Sequence, residues 1–421
     1  MAGSGKQDPV LTRLEWGVFP LGENGLGDRE AEGFLKSAER SARELRLPQG
    51  AVLNGIVGGL KAGQVCGVMS YRGRSLEILP KINGTSQEIR LALIRMLSVA
   101  NDLRVSDGEM AQLQTQRNDL LELLIMLFVR RLTKAMKGGM QRKYIRFDEE
   151  VAFVRGKLDI GKQLSKRPVA PRKLFCRFDE LSENTPLNRL LKATALHLLS
   201  VSRRVETQRQ LQMILDSFRR VNNSQDPLAE VVYNDRSVAA FSTIIPLARL
   251  LLKSEFQNTT SGNTFGVSLL FPMNKLFERY MACRARQTFG GRIVHCQHSR
   301  NYALSDNLFR MIPDILFDDQ TAPIIVDTKW KQLRSDDPRK LGVSQSDVYQ
   351  MLAYGHGYAS ENVRPRLVLL YPHDTALNAP EGVLRRWYVT GSELPLTIAT
   401  VDISRRRSLQ EWHTLLSEVV S

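Results

Sequence analysis

The spacing of apolar residues divides the chain into three stretches that predict different elements. In the first, Val65–Tyr71 and residues 75–82 are predicted strands joined by the short turn Arg72-Gly73-Arg74, whose glycine permits a positive φ. Glycines crowd residues 53–63, which predicts an exposed, loop-rich tip. Residues 1–85 are therefore predicted to form a small β-rich module, and the tip is its best candidate for contacting a partner.

From about residue 87 the apolar spacing becomes that of helices. Residues 89–97 leave one polar stripe, and a second predicted helix, 116–137, ends in a basic turn followed by Gly138-Gly139. Asn184-Thr185-Pro186 can open a further helix. With some strands near residues 144–158, the stretch 86–256 is predicted to be a mainly helical middle region.

The third stretch, residues 257–421, begins with a predicted linker rich in Ser, Thr, Gly and Asn at 257–266. A helix at 273–288, two short strands, a helix at 347–358 and a strand at 366–371 follow. Helices packed on a mixed sheet satisfy this order. The fold class is thus predicted to be α+β and multidomain, with an α/β domain at the carboxyl end.

Composition narrows the class of protein. The longest apolar run, residues 120–129, is interrupted by Glu122 and falls short of the roughly 20 residues that a membrane span requires. Residues 1–9 lack the apolar core of a signal peptide. Four scattered cysteines predict reduced thiols and no disulfide framework. We therefore expect a cytoplasmic protein without a membrane segment.

The positive charge of the chain is concentrated in one place. Between residues 130 and 177 there are fifteen Lys or Arg and four acidic residues, within a formal net charge of +15 for the whole chain. Such a density is typical of a surface that follows a phosphate backbone, although a solvated basic face is the alternative. The candidate DNA-binding residues are Arg142, Lys143, Lys166, Arg167, Arg172 and Lys173.

The strongest candidate chemistry lies on the two short strands of the third stretch. Asp327 follows Ile-Ile-Val, a run typical of a central strand, and Lys329 stands two places later, on the same face of that strand. A turn over residues 318–323 would bring Asp314 beside Asp327, about 5 Å away between Cβ atoms. Two carboxylates and one ammonium would converge where Mg²⁺ or Mn²⁺ could bind a scissile phosphate.

Three further residues are candidates for the same site. Glu278, on the preceding helix, could contact the metal directly or through water, so Asp314, Asp327 and Glu278 are the candidate metal ligands. Gln350 and Tyr354 lie at i and i+4, on one face of the next helix, and could hold Lys329 or a DNA phosphate. The alternative is ordinary surface chemistry, because each dipeptide alone is frequent by chance.

Other constellations are weaker. Cys283, His295, Cys296 and His298 could be imagined as a zinc site, but no Cys-x-x-Cys occurs. His373 could support the phosphate chemistry or have a structural role. Gly3-Ser4-Gly5-Lys6 lacks a preceding strand and the first glycine of a phosphate loop, so we expect no nucleotide to be bound by this chain.

The same residues carry a family resemblance. Pro313-Asp314 with Asp327-Thr328-Lys329 resembles the PD-(D/E)XK nuclease motif, and Gln350 to Tyr354 resembles the Gln-x-x-x-Tyr helix of its RecB-like branch. More specifically, the chain resembles the McrC family, the nuclease subunits of McrBC-type modification-dependent restriction systems. The supporting segments, within about residues 80–375, are 153–159, 178–192, 276–280, 310–314 and 370–373.

This resemblance implies a PD-(D/E)XK restriction-endonuclease-like domain and a deoxyribonuclease that acts on double-stranded DNA with modified cytosine. It also implies a partner, an McrB-like AAA+ GTPase oligomer, whose hydrolysis this chain would stimulate and which would recognise the modified base. Two alternatives remain open at this point. The chain could be a non-catalytic DNA-binding activator of an NTPase, or a stand-alone RecB-like repair nuclease.

Overall fold

The computed structural model describes residues 10–23, 25–116, 118–166, 172–233, 235–256, 266–290, 294–297, 301–318, 322–360, 363–392 and 394–421. The chain forms two compact units, of which the first joins Met1–Leu121 with Gln257–Ser421 and the second is Glu122–Phe256. The first and third predicted stretches thus belong to one unit, together with the helices at the start of the second stretch.

The strands, in chain order, are β1 (Val10–Leu14), β2 (Val18–Pro20), β3 (Leu53–Ile56), β4 (Gly59–Ala62), β5 (Val65–Tyr71), β6 (Arg74–Leu79), β7 (Lys143–Val151), β8 (Lys157–Leu158), β9 (Leu174–Ser182), β10 (Gly266–Pro272), β11 (Val294–Cys296), β12 (Asn301–Leu304), β13 (Leu308–Met311), β14 (Ile315–Phe317), β15 (Ile324–Thr328), β16 (Arg366–Pro372), β17 (Gly382–Tyr388) and β18 (Pro395–Val401). The α-helices are α1 (Asp28–Glu44), α2 (Ser86–Ala100), α3 (Asp107–Gln114), α4 (Leu120–Met136), α5 (Ile160–Lys166), α6 (Pro186–Val201), α7 (Val205–Ser217), α8 (Ile245–Phe256), α9 (Met273–Phe289), α10 (Gln345–Tyr358) and α11 (Leu409–Val420). Within the described residues, no helix is both long and apolar enough to cross a bilayer.

The amino-terminal part of the first unit contains a four-stranded sheet with the order β1-β6-β5-β10. Residues 257–265 of the predicted linker lie outside the described residues. The last strand of this sheet, β10, follows the predicted linker in sequence and pairs antiparallel with β5. This approach is close at Gly67, where φ is +137° and an added Cβ would lie 1.9 Å from Leu269 O. A glycine is required there, because a side chain would separate the two strands.

A smaller sheet, β2-β4-β3, and helix α1 complete this module. The sequence pattern did not predict α1, because the residues that it buries are mostly small: Ala31, Ala38 and Ala42 accompany Phe34 on its inner face. The helix packs on β3, β5 and β10 and shares its core with apolar side chains of β4 and β6. The module is therefore β-rich, as predicted, with one amphipathic helix added.

The carboxyl-terminal part of the first unit is built on a six-stranded mixed sheet with the order β11-β14-β15-β16-β18-β17. The three neighbours β15, β16 and β18 are parallel, and the strands that flank them are antiparallel. Since parallel strands end at the same edge, the segments after Thr328, Pro372 and Val401 all leave the sheet at one edge. The predicted helices on a mixed sheet are thus observed.

Helices cover both faces of this sheet. Leu316 of β14 packs in the core beneath α10, whereas its neighbour Phe317 contacts Phe289 of α9 with ring centroids 5.4 Å apart. Successive residues of a strand point to opposite faces, so α9 and α10 lie on different sides. All five residues of β15 are buried, which explains their nearly continuous apolar sequence.

The second unit combines helices α4 to α8 with a three-stranded sheet of order β7-β9-β8. The predicted helix 116–137 begins at Leu120 and ends at Met136, before the two glycines. The helix predicted after Asn184-Thr185-Pro186 is α6, and the Thr185 hydroxyl accepts a hydrogen bond from the backbone N–H of Asn188.

Candidate active site

The two acidic residues of the predicted site face each other at the ends of paired strands. In the β14–β15 ladder Ile315 lies opposite Val326, so Asp314 and Asp327 are the next residues in register. The backbone N–H and the hydroxyl of Thr328 both donate to Asp314 Oδ2 at 2.7 Å. Asp314 is held against β15 by these bonds, and the predicted pairing of the acids is observed.

Lys329 lies between β15 and helix α10. Its Nζ is 2.5 Å from Asp327 Oδ2 and donates to Gln350 Oε1 at 2.8 Å. Gln350 Nε2 donates to the Tyr354 hydroxyl at 2.9 Å, and that hydroxyl donates to the carbonyl of Ile312 at 3.0 Å. The chain of contacts fixes the ammonium beside the carboxylates and returns to the segment before Asp314.

Glu278 reaches the same area from α9. Gln297 donates from its side chain to Glu278 Oε1 at 2.9 Å and from its backbone to the carbonyl of Asp314 at 3.1 Å. Gln297 was not predicted as a site residue; it follows β11 and has a positive φ of 48°. By bonding both acidic residues, it is a positioning residue for Glu278.

The electrostatics of the three acids reflect crowding away from water. Burial raises the pKa of Asp327 to about 6, with a further contribution from the charge of Asp314, and Lys329 only partly opposes this shift. Burial also raises the pKa of Asp314. The pKa of Glu278 is raised by burial and then by Asp314. The site therefore holds more negative charge than its lysine neutralises.

A second ion pair, between Lys331 and Asp347, lies near the pair of Lys329 and Asp327 and was not predicted from the sequence. Lys331 Nζ donates to Asp347 at 2.9 and 3.0 Å, and Tyr371 contributes a longer hydrogen bond of 3.4 Å to the same carboxylate. Burial alone would raise the pKa of Asp347, but the bonds from Lys331 and Ser344 outweigh it and the pKa is lowered. The predicted helix 347–358 begins two residues earlier, and its cap is Ser344, whose side chain accepts a hydrogen bond from the backbone N–H of Asp347. The signal available was Lys331 itself, two residues after Lys329.

The loop after β15 is anchored on the amino-terminal module. Trp330 donates its indole N–H to Glu15, 2.9 Å from Oε2, and its carbonyl accepts from Gln64 at 2.7 Å. The indole also packs edge-on against Phe277, with centroids 5.4 Å apart. Trp330 follows Lys329 directly, so Glu15 and Gln64 restrict the backbone that presents the lysine.

Glu15 makes the stability of the protein depend on pH. Burial raises its pKa to about 7, although the bonds from Trp330 and Lys81 and the charge of Lys81 lower it. The proton is therefore bound more tightly in the folded state than at the ordinary value of 4.5. The stabilisation is complete below pH 4.5 and is lost as the pH rises to about 7, in total about 3 kcal/mol.

We expect Glu15→Gln to remove this dependence, because the amide stays neutral and keeps an acceptor for Trp330. Urea unfolding of both proteins at several pH values between 5 and 8 measures the difference. The free energy of unfolding of the variant relative to wild type should rise with pH across that window. A constant difference would contradict a buried titrating Glu15.

The alternative constellations gain no support. Among the described residues, no three His, Cys, Asp or Glu side chains form a group that could hold a metal by themselves. This applies to Cys283, His295 and Cys296, and it applies equally to the predicted set of Asp314, Asp327 and Glu278. His298 lies outside the described residues, as do residues 3–6. His373 shares a hydrogen bond of 3.0 Å with the hydroxyl of Thr400.

The basic segment of the second unit is more neutralised than its sequence indicates. Arg142 pairs with Glu183 at 2.6 Å and Lys143 pairs with Asp235 at 2.8 Å. Lys166 lies over the Phe175 ring, 5.3 Å from its centroid, while Arg172 and Lys173 are exposed. Arg167 lies outside the described residues. Binding of DNA by this segment stays a prediction, which Arg172 and Lys173 favour most.

Two solved structures are similar to this chain in fold. The chain is similar to one chain of the refined half-complex from the tetradecameric assembly of Thermococcus gammatolerans McrB AAA+ hexamers with bound McrC. The TM-score is 0.76 at 18% identity, and the match covers 98% of this chain and 100% of that chain. A chain of the Thermococcus gammatolerans McrBC complex, solved by cryo-electron microscopy, gives 0.54 at 23% identity, covering 66% of this chain and 88% of that chain. At these identities the likeness shows the fold alone. No curated protein matches the chain in sequence.

The family itself is identified from the sequence. Residues 60–372 match the model of the McrBC 5-methylcytosine restriction system component, and this range includes Glu278, Asp314, Asp327, Lys329, Gln350 and Tyr354. The match covers well over half of the chain. The protein therefore belongs to the family of McrBC 5-methylcytosine restriction system components.

Proposed function

We propose that this chain is the Mg²⁺-dependent endonuclease subunit of a modification-dependent restriction system, a PD-(D/E)XK deoxyribonuclease. The observation that carries the proposal is the convergence of Asp314, Asp327 and Lys329, with Lys329 bonded to Gln350. Carboxylates next to an oriented ammonium are what hydrolysis of a phosphodiester requires.

The residues present fit a hard divalent cation. Asp327 Oδ2 is buried and has no hydrogen bond of acceptable geometry from any described residue, although Lys329 Nζ is in close contact. An additional positive charge would relieve the repulsion that raises the pKa of Asp327. Mg²⁺ or Mn²⁺ takes one or two carboxylates and keeps water on its other positions, so Asp314 and Asp327 suffice, and Glu278 would contact the ion through water.

Each residue then has a role in breaking the bond between phosphorus and the leaving oxygen. When bound, the ion polarises the scissile phosphate and lowers the pKa of the attacking water. Lys329 stabilises the negative charge that develops on the phosphoryl oxygens and can orient that water. Gln350 and Tyr354 hold Lys329 in place, and Thr328 holds Asp314.

The partner and substrate follow from the family and the similar structures. The family model describes a 5-methylcytosine restriction system component, and both similar chains come from assemblies of McrB with McrC. We infer an McrB-like AAA+ GTPase oligomer as the partner of this chain and double-stranded DNA with modified cytosine as the substrate. Nucleotide binding and base recognition would then belong to the partner.

The proposal is tested by assaying the wild-type chain on methylated and unmethylated plasmid, with and without the partner, GTP and Mg²⁺. We expect double-strand cleavage only when all components are present on methylated DNA, and EDTA should stop it. Cleavage without the partner would identify a stand-alone nuclease instead. Stimulated GTP hydrolysis without any DNA nick would identify a non-catalytic activator.

The predicted partner-contacting tip forms the β3–β4 hairpin. Its turn residue Val57 is fully exposed, and the neighbouring Ile56 is 40% exposed. Apolar side chains at an exposed tip are typical of an interaction site. We expect Ile56→Ser with Val57→Ser to lower stimulation of the partner's GTP hydrolysis at least about tenfold, as the loss of a few contacts of hot-spot size would.

The control for this prediction is a pair of exposed apolar residues away from the hairpin, Leu304→Ser with Leu308→Ser. Both variants should unfold at the same temperature as wild type, because the substituted side chains are exposed. GTP turnover at several concentrations of the chain separates weakened binding from weakened activation. Unchanged stimulation by the hairpin variant would contradict the role of the tip.

A further inference from the structure

A polar cavity of the first unit is lined by five arginines. Its volume is about 280 Å³, and its cations are Arg95 of α2, Arg284 of α9, and Arg405, Arg406 and Arg407, which lie between β18 and α11. Asp107 is the acidic residue in this lining. We call this cavity the arginine pocket. None of its residues belongs to the candidate active site.

The arginine pocket contains hydrogen-bond donors without acceptors. Arg284 Nε and the indole Nε1 of Trp412 are both buried, and neither has a partner among the residues that the structure describes. Trp412 is only 1% exposed, so water does not satisfy its N–H from outside. Unsatisfied buried donors are rare in native proteins, and these two share one cavity with a surplus of cations. The surplus of accessible cations favours an anion with several acceptor oxygens as the ligand of this cavity.

The positive charge is only partly compensated. Arg407 pairs with Glu381, and Arg406 pairs with Asp107. Arg405 has longer contacts of 3.7 Å to Glu381 and 3.5 Å to Glu411. Burial is the main cause that lowers the pKa of Arg95, and the charges of Arg406 and Arg284 also lower it, whereas Tyr280 and Asp402 act in the opposite direction. The cations therefore repel one another in the absence of a ligand.

The aromatic residues of the arginine pocket restrict what it can recognise. Tyr280 and Trp412 pack edge-on with centroids 6.0 Å apart, and Arg284 lies over both rings at 5.3 and 5.4 Å. Both rings are almost completely buried, at 3% and 1% exposed. They fix the guanidinium, but they offer no face on which a base could stack. The chemistry selects a phosphate group and not a nucleobase.

The position of the arginine pocket relates it to the candidate active site. Residues 402–408 leave the sheet after β18, at the same edge where Thr328 ends β15. One strand, β16, lies between them, so the two strand ends are about 10 Å apart along the sheet. The segment that carries Arg405, Arg406 and Arg407 therefore begins at the sheet edge that also carries Asp327 and Lys329.

We propose that the arginine pocket binds a backbone phosphate of the DNA strand that enters the active site. This inference rests on the proposed function for the identity of the ligand. The contact is independent of base sequence, since it involves phosphate oxygens alone, and it holds the strand in register beside Asp314 and Asp327.

The test substitutes the two most exposed cations, Arg405→Gln with Arg406→Gln, whose side chains are 59% and 67% exposed. Binding of a short duplex is measured by fluorescence anisotropy on the full chain, without divalent metal and over a range of KCl. We expect about tenfold weaker binding, and a dependence of log K on log salt that is shallower by about one.

The matched control is Arg385→Gln with Arg386→Gln, two exposed arginines on the edge strand β17 of the same sheet. It removes the same charge, so a general electrostatic effect would weaken binding equally in both variants. A third variant, Asp107→Asn, removes the carboxylate that competes for Arg406 and should strengthen binding. The opposite signs of these changes are not expected from damage to the fold.

Equal binding by the arginine-pocket variant and the control would overturn the inference. The inference would also be overturned if the wild-type chain failed to bind the duplex at low salt. It would be overturned as well if millimolar inorganic phosphate displaced no DNA from the wild-type chain and the double variant bound DNA normally. Loss of partner stimulation with intact DNA binding would assign the pocket to an acidic protein surface and equally overturn it. The anisotropy experiment measures DNA binding and not cleavage. A failure of the proposed nuclease activity would therefore be recognised separately, as DNA binding without nicking in the plasmid assay.

Discussion

Replacing Asp327 with Asn is expected to reduce cleavage of methylated DNA by at least about a thousandfold, the size of effect seen when one group that stabilises transition-state charge is removed. The amide keeps the shape of the side chain but cannot serve as an anionic ligand. Its buried oxygen would no longer attract a divalent cation. Cleavage is measured with the partner and GTP present, so that the rate reports the hydrolytic step.

A second measurement separates this effect from misfolding. Mg²⁺ should raise the unfolding temperature of wild type but not of Asp327→Asn, since ligand binding stabilises only a protein that binds it. Without metal the two should unfold at similar temperatures, because loss of the repulsion from Asp314 offsets loss of the Lys329 ion pair. Asp318→Asn is the matched control, as its side chain is exposed at the end of the same hairpin. Wild-type cutting by Asp327→Asn would refute the site.

Replacing Lys329 with Gln is expected to reduce the rate about a hundredfold to a thousandfold, with little change in DNA affinity. Gln can still donate to Gln350, so the loss reports the missing positive charge and not the broken contact. The charge acts mainly in the transition state, where negative charge on the phosphoryl oxygens is largest. Single-turnover cleavage at saturating protein measures this rate.

Lys340→Gln provides the comparison for Lys329. It removes one exposed lysine from the loop that leads to α10 and leaves the ion pair with Asp327 unchanged. Cleavage by this variant should stay within about twofold of wild type, as for surface substitutions that touch no partner. A Lys329→Gln enzyme that cuts as fast as the Lys340→Gln enzyme would exclude a role for the ammonium.

Local elements were predictable where the sequence carries a strong period or a clear terminus. The strand Val65–Tyr71 has its predicted bounds, and the predicted helix 273–288 is one residue shorter than α9. Helix α1 was not predicted, because small residues occupy most of its inner face and it presents no stripe of large apolar side chains. The start of α10 at Gln345 was predicted two residues late, since three serine or aspartate residues compete as caps there.

The candidate site was predictable in part for the same reason. Asp314, Asp327 and Lys329 lie on two strands joined by one turn, so a local register argument places them together. Gln297 and Asp347 act through residues from other elements, and their sequence neighbours give no sign of it. Their roles became visible only when the strands and helices were packed.

The sequence by itself determined helices α9 and α10, the strands that carry the two acids, the strand β16, and membership of the family. Periodicity and turn chemistry act over a few residues, so they report on these features. The tertiary structure decided that β10 completes the amino-terminal sheet and that Glu15 bonds Trp330 across 315 residues. It also gathered five arginines from three segments into one pocket. Contacts between distant segments depend on how whole elements pack, and no local pattern of side chains encodes that packing.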